Sequence, residues 1–304
     1  MFATLLGALP RPPLPVDAPR DALVEAAVRA QEVAGIDPVT DGRPPADDDG
    51  DLARTWTATQ RLTERAVKQA VIGPYTAGGG GGTARDRTEA TLARAGALNL
   101  SLRELAAAGC PLIEIHEPAA TTMGADEAER ALFREAHLRL LDGVEGSHLS
   151  LALTGGNADA VGVETLLAAP YASLAVDLIA GPDNWRLVAA TPGDRGIICG
   201  TLSPAPDSDD GPELLLWAAG YAASTGGRGP ARVGLASASS FADLPWAAAI
   251  RKLERLGAAA RLADQPVDTR VRSLDPRAVS SRSAALGRVD TPPSRGPDPG
   301  DEPT

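Results

Sequence analysis

Residues 67–118 read VKQAVIGPYTAGGGGGTARDRTEATLARAGALNLSLRELAAAGCPLIEIHEP. The stretch opens on a short β-rich run, VKQAVIG, and closes on a second, PLIEIH. Between them lies a long Ala/Leu/Arg/Glu segment whose apolar residues recur with helical period. A strand, a helical crossover and another strand make a parallel βαβ unit. The same alternation runs outward in both directions. Strands are expected at 2–9, 36–40, 67–73, 111–116, 148–154, 173–178, 196–200 and 232–236, with the clearest helices at 20–33, 83–108, 125–141, 213–224 and 244–262. Eight strand–helix units in sequence favour a closed (β/α)8 TIM barrel, an α/β fold, over an open doubly wound sheet. Asp17 with Pro19-Arg20-Asp21, and Asp243-Leu244-Pro245, supply helix starts. One barrel domain is expected over 1–263. Residues 264–304, rich in Pro, Ser, Arg and Asp with little to bury, are expected to form a disordered tail.

Composition limits the partners. Apolar residues are 43% of the 304 and aromatics only 3%, so the core must be built from Ala, Val, Leu and Ile. A formal net charge of -11 offers no general attraction to nucleic acid or anionic lipid. No apolar stretch approaches the ~20 residues of a membrane span, and no basic residue precedes the opening run MFATLLGALP, so a cytoplasmic protein is expected. Cys110 and Cys199 stand far apart in apolar runs, which fits buried structural thiols and neither a disulfide framework nor a CxxC motif.

In a barrel, chemistry sits where strands end and the following loops begin. The third strand runs into Gly73-Pro74-Tyr75-Thr76 and then Gly78 to Gly82, which lacks the Lys-Ser/Thr of a phosphate-binding P-loop and is expected to be a flexible loop. The fourth ends in His116-Glu117-Pro118, a polar pair that packing alone does not call for; these are the acid/base candidates. His148 opens the fifth strand at its opposite end, and His137 is expected to be an exposed or half-buried helix residue, so no histidine cluster forms. Asn157 in TGGN and Asp177 after LAV either line a polar site or serve as turn and cap. Ser239, in the run SASS, either caps the last helix or faces a bound anion. No GxSxG elbow is present to make any of these serines a nucleophile.

These strand ends resemble the cobalamin-independent methionine synthases, in their C-terminal catalytic barrel and its short stand-alone relatives, a group akin to uroporphyrinogen decarboxylases. VKQAVIGPYTAG resembles that family's GP-x-T strand end, and AAAGCPLIEIHEPA its aGc-x-IqIdEPa strand. LLGALP, GIDPVTDGRPPADD and GLASASSFADLPWAAAIRKLERLGAAAR are similar to the family's opening, its GiDvltdGE loop, and its last strand and helix. The resemblance implies a methyltransferase-family barrel and covers nearly all of it. The family's zinc ligands, however, correspond here to Ala152, Thr154, Asp177 and Ser239, and one carboxylate does not hold zinc. Neither metal nor cofactor is therefore expected. In the amino-acid pocket the family's serine, glutamate and aspartate are replaced by Ala8, Arg43 and His116, with Glu117 the matching member.

The resulting expectation is a divergent, zinc-free barrel that binds a small carboxylate-bearing metabolite, its reaction and oligomeric state left open. His116 and Glu117 would act as acid and base and Arg43 as the anion clamp. Tyr75, Thr76, Asn157, Asp177 and Ser239 would form the polar lining, and Glu117 would hold Arg43 when the site is empty. The alternatives are a catalytically silent binding or partner subunit and a genuine homocysteine or thiol S-methyltransferase.

Overall fold

The structure is a computed structural model, describing residues 1–46, 51–79, 83–208 and 210–266. Nearly all of the expected tail lies outside the described residues, as do three of the five consecutive glycines. Among the described residues seven strands form one parallel sheet. They are β1 (Phe2–Thr4), β2 (Lys68–Ile72), β3 (Leu112–His116), β4 (His148–Leu153), β5 (Ser173–Asp177), β6 (Gly196–Leu202) and β7 (Val233–Ser237), in the order β1-β7-β6-β5-β4-β3-β2. The helices between them are α1 (Arg20–Ala34), α2 (Leu52–Gln60), α3 (Pro74–Ala77), α4 (Ala84–Ala107), α5 (Glu127–Leu141), α6 (Val163–Leu166), α7 (Trp185–Ala190), α8 (Pro212–Ser224) and α9 (Trp246–Ala263).

The expected eighth strand, at 36–40, is not formed as such. Pro38 has no N–H to extend a ladder, and the segment makes single bridges instead: Asp37 to Ala3 on β1, and Val39 to Val67 at the start of β2. Asp37 N–H donates to the Ala3 carbonyl at 2.8 Å and Lys68 N–H to the Val39 carbonyl at 2.9 Å. Residues 36–40 therefore touch both edges of a curled seven-stranded sheet. The first strand is also shorter than expected. Past Thr4, the Ser237 hydroxyl takes the place of a ladder partner, accepting from Leu6 N–H at 2.9 Å and donating to the Leu6 carbonyl at 3.1 Å.

Alternation along each strand divides two cores. The outward residues, such as Ile113, Ile115, Leu151, Leu174, Val176 and Leu235, pack against the helices in the main core. The inner face carries a second, small-residue cluster of Leu6, Ala152, Ala175, Ile198 and Ala236, with Phe2 against it. Phe2 fits there because position 234 is glycine: a Cβ at Gly234 would lie 2.5 Å from the Phe2 ring. Local capping agrees with the pattern. Thr83 and Asp86 form a capping box on α4, and Asp126 caps α5 through Ala128 and Glu129 N–H. At α1 the cap position is Pro19 with no side-chain bond, so Asp17 does not cap it; Asp21 lies in the first turn. Both cysteines are buried, and burial pushes their thiols up to about 12. No described helix is long and apolar enough to cross a membrane.

Candidate functional site

The inner face of β2 and β3 carries a charged cluster that begins at the first residue of β2, in contrast to the alanines that β4, β5 and β7 place on the same face. Lys68 and Glu114 project into it from adjacent strands. Lys68 Nζ donates to both Glu114 oxygens, at 2.9 and 2.8 Å. His116, two residues along β3 and on the same face, places Nε2 2.8 Å from Glu114 Oε1. All three side chains are buried. Burial pushes the Glu114 carboxyl up, but the Lys68 ammonium and the His116 hydrogen bond outweigh it and hold the group down to about 2. Burial lowers the Lys68 ammonium, against the attraction of Glu114. Glu114 is therefore the anion of the cluster.

Glu117 does not share this site. Past the end of β3 it turns to the other side and binds the start of α3, accepting from Tyr75 N–H at 3.0 Å, from Thr76 N–H at 2.7 Å and from the Thr76 hydroxyl. Its Oε1 also lies 3.1 Å from His137 Nε2, while His137 Nδ1 meets the Tyr171 hydroxyl and the ring stacks on Phe133 at 3.9 Å. His137 is thus fully buried at 1% exposure, correcting the expectation of an exposed or half-buried helix residue: it lies on the face of α5 that packs inward with Phe133 and Leu140. The carboxylate of Glu117 spends its acceptor capacity tying β3, α3 and α5 together. Position 73 must be glycine to admit it, since a Cβ there would lie 2.1 Å from Glu117 Oε1.

Arg43 departs from expectation in the same way. Its guanidinium pairs with Asp41, through Nε at 2.7 Å and through Nη2, not with Glu117. It lines a cavity of about 650 Å³ between α1 and α2, together with Arg20, Arg54, Val24, Thr59 and Gln69. Gln69 alternates with the inward Lys68 on β2, so this cavity lies on the outer side of the sheet from His116. Arg43, His116 and Glu117 accordingly occupy three different surroundings.

The rest of the expected lining is drawn into loop structure. Tyr75 is buried; its hydroxyl donates to Glu129 at 2.8 Å and its ring lies under the Arg87 guanidinium. Burial, with the hydrogen bond from Arg87 opposing it, pushes that hydroxyl up to about 12. Asn157 exchanges hydrogen bonds with Asp183, at 3.0 Å to its carboxylate and 2.9 Å from its N–H. Asp177 accepts from the backbone N–H groups of Gly155, Ile179 and Ala180 at 2.8–3.0 Å. Ser239 is half-buried just beyond β7.

A tetrahedral zinc site does not fit these residues. Of the four positions that the resemblance sets against zinc ligands, Ala152 has no donor and the Asp177 carboxylate already accepts from three backbone N–H groups. No group of three or more His, Cys, Asp or Glu side chains suited to a metal occurs among the described residues.

Lys68 and Glu114 were missed in the sequence, although a signal was present. In a chain this apolar, charges at inward positions of neighbouring strands, KQAVI and LIEIH, can be buried only as a pair.

No family model and no curated protein matches the chain in sequence. Solved structures do match in fold. A B12-independent methionine synthase from a Shewanella species, in complex with selenomethionine, superposes with a TM-score of 0.71 at 15% identity, covering 90% of this chain and 99% of that one. A putative vitamin-B12-independent methionine synthase from Listeria monocytogenes gives 0.67 at 13% identity, covering 87% and 97%. A methyltransferase from Methanosarcina mazei gives 0.61 at 13% identity, covering 86% and 93%. What the chain shares with methionine synthase-like methyltransferase barrels is their fold, over nearly their whole length.

Proposed function

We propose that this chain is a divergent member of the methionine synthase-like methyltransferase barrels that binds a small carboxylate-bearing metabolite without zinc. The observation that carries the reading is the cavity between α1 and α2, whose lining includes Arg20, Arg43 and Arg54 together with the apolar side chains of Val24, Leu52 and Leu62. Its volume suits a small organic anion. Asp21 and Asp51 also line it, but the Asp51 carboxylate already accepts from Arg54 N–H at 2.8 Å as the cap of α2. Arg43 is held by Asp41 in the free protein, and a ligand carboxylate would compete for the same planar, bidentate guanidinium face. Both helices start at this rim, so their N-termini add to the attraction.

The reading assigns no reaction. Its test is a thermal-shift screen of mono- and dicarboxylate metabolites with a chelator present. A ligand at a hundred times its Kd is expected to stabilise the protein by about 2.7 kcal/mol. Stabilisation by zinc and a thiol, abolished by the chelator, would overturn the reading in favour of a thiol methyltransferase.

A second reading, a catalytically silent barrel, has its own support. Glu117 binds the start of α3 and His137 on α5, while Asn157 and Asp177 bind neighbouring loops. A screen with no carboxylate hit would favour it.

A further inference from the structure

Gln69 stands where the fold calls for an apolar side chain. It faces the helix side of the sheet from β2, as Val71 does two residues later, and the two positions pair in register with Ile113 and Ile115 on β3. Val71, Ile113 and Ile115 all lie in the main core. Gln69 instead lines the arginine-bearing cavity and is only 8% exposed. An amide there gives up the packing of an isoleucine and brings polar atoms that need partners. Its Nε2 donates to the Ala70 carbonyl at 3.1 Å, and because a carbonyl only accepts, this fixes which end of the amide is nitrogen. That is the one hydrogen bond the amide makes among the described residues, so a second N–H and the oxygen Oε1 remain for a molecule in the cavity.

The cavity differs from end to end. Arg20 and Arg54 are exposed and Arg43 is one-third exposed, which sets the cations toward solvent. Gln69 and Thr59 are buried, and the Thr59 hydroxyl is turned back onto the Thr55 carbonyl of its own helix at 3.1 Å. A ligand whose carboxylate sits among the arginines therefore meets, at the sheet, an amide able both to donate and to accept. That amide takes up and loses no proton, so both capacities persist at every working pH.

We infer that Gln69 is the specificity-determining residue of this cavity, and that its ligand carries, besides a carboxylate, a hydroxyl or carboxamide group that bonds to the Gln69 amide. The inference rests on the carboxylate reading of the cavity and adds the second group of the ligand. A hydroxyl accepts from Nε2–H and donates to Oε1. A wholly aliphatic chain leaves both unpaired and binds less tightly.

Calorimetric titration of the full-length chain with pairs of acids of equal size tests this. Each pair exchanges a terminal methyl for a hydroxyl: pentanoate with 4-hydroxybutanoate, hexanoate with 5-hydroxypentanoate, heptanoate with 6-hydroxyhexanoate. In at least one pair the hydroxy acid is expected to bind about tenfold more tightly, the worth of a hydrogen bond made in place of one left open. Gln69→Leu puts at this position a side chain like those beside it, and is expected to hold its Tm and to bind the aliphatic acid at least as well while losing the preference. Gln69→Met serves the same purpose if the leucine variant folds poorly. Arg43→Met is expected to weaken both members of a pair alike and leave their ratio unchanged, which separates the carboxylate end of the site from the Gln69 end. Equal affinities within every pair, or a preference that survives replacement of Gln69, overturns the inference and leaves the carboxylate site standing. Binding by none of the acids overturns the carboxylate reading of the cavity and this inference with it.

Discussion

Lys68 and Glu114 face each other from adjacent parallel strands, with the ammonium 2.8 and 2.9 Å from the two carboxylate oxygens, both side chains essentially without solvent contact. Neither charge is tolerable there alone. Breaking the pair from one side leaves an uncompensated buried charge, so Lys68→Met is expected to cost about 3–5 kcal/mol in urea unfolding. The double replacement Lys68→Met with Glu114→Met should cost much less than the sum of the single changes. Additive losses would mean that the two side chains do not interact as described.

The same pair sets an acid limit on stability. The Glu114 carboxyl is held from its ordinary 4.5 down to about 2, so the folded state binds its proton later than the unfolded state does. A depressed carboxyl adds stability that is fully present above about 4.5 and is lost as pH falls toward 2. Unfolding free energies measured across that window should fall more steeply for the wild type than for Glu114→Gln. Parallel curves would remove Glu114 from the acid transition.

Gly73→Ala tests the other carboxylate. A methyl group at that position would lie 2.1 Å from Glu117 Oε1 and cannot be accommodated without moving the start of α3. The expected loss is about 1–3 kcal/mol, typical of overpacking, seen as a lower urea midpoint. An unchanged midpoint would show that Glu117 can leave its bonds to Tyr75 and Thr76 at no cost.

Metal content follows from the donor set. With Ala152, Thr154, Asp177 and Ser239 at the corresponding positions, elemental analysis of the purified protein is expected to find zinc well below one atom per chain, and chelation should leave Tm unchanged. One tightly held zinc, lost together with stability on chelation, contradicts this.

Much of the architecture was legible because each strand–helix unit writes its own period. Residues 67–118 contain β2, α4 and β3 nearly as their pattern predicts. The segment 36–40 was read as a strand from its apolar residues, but Pro38 removes a ladder donor, and only single bridges form on either side. The site was less legible because residue type and position on a strand end do not reveal which way a side chain turns. His116 and Glu117 are adjacent in sequence, yet one binds Glu114 on the inner face while the other caps α3 beside His137. Arg43, placed beside them by position in the loop, is drawn outward by Asp41 two residues earlier. Local pairs of this kind are cheap to form and invisible to a pattern of strands.

The central claim is that a carboxylate-bearing metabolite binds this chain through Arg43 and without zinc. Native mass spectrometry of the freshly purified full-length chain, beside Arg43→Met, tests it most directly. Arg43 is one-third exposed, and in Arg43→Met the Asp41 carboxylate keeps its bond from the backbone N–H of residue 43; the Tm of the variant, measured beside the wild type's, checks that it folds. The account predicts that the wild type retains an organic-acid adduct, or takes one up from the screened carboxylates, with no zinc, and that Arg43→Met does not. An adduct carried equally by both proteins, or a wild type that holds zinc, would contradict it.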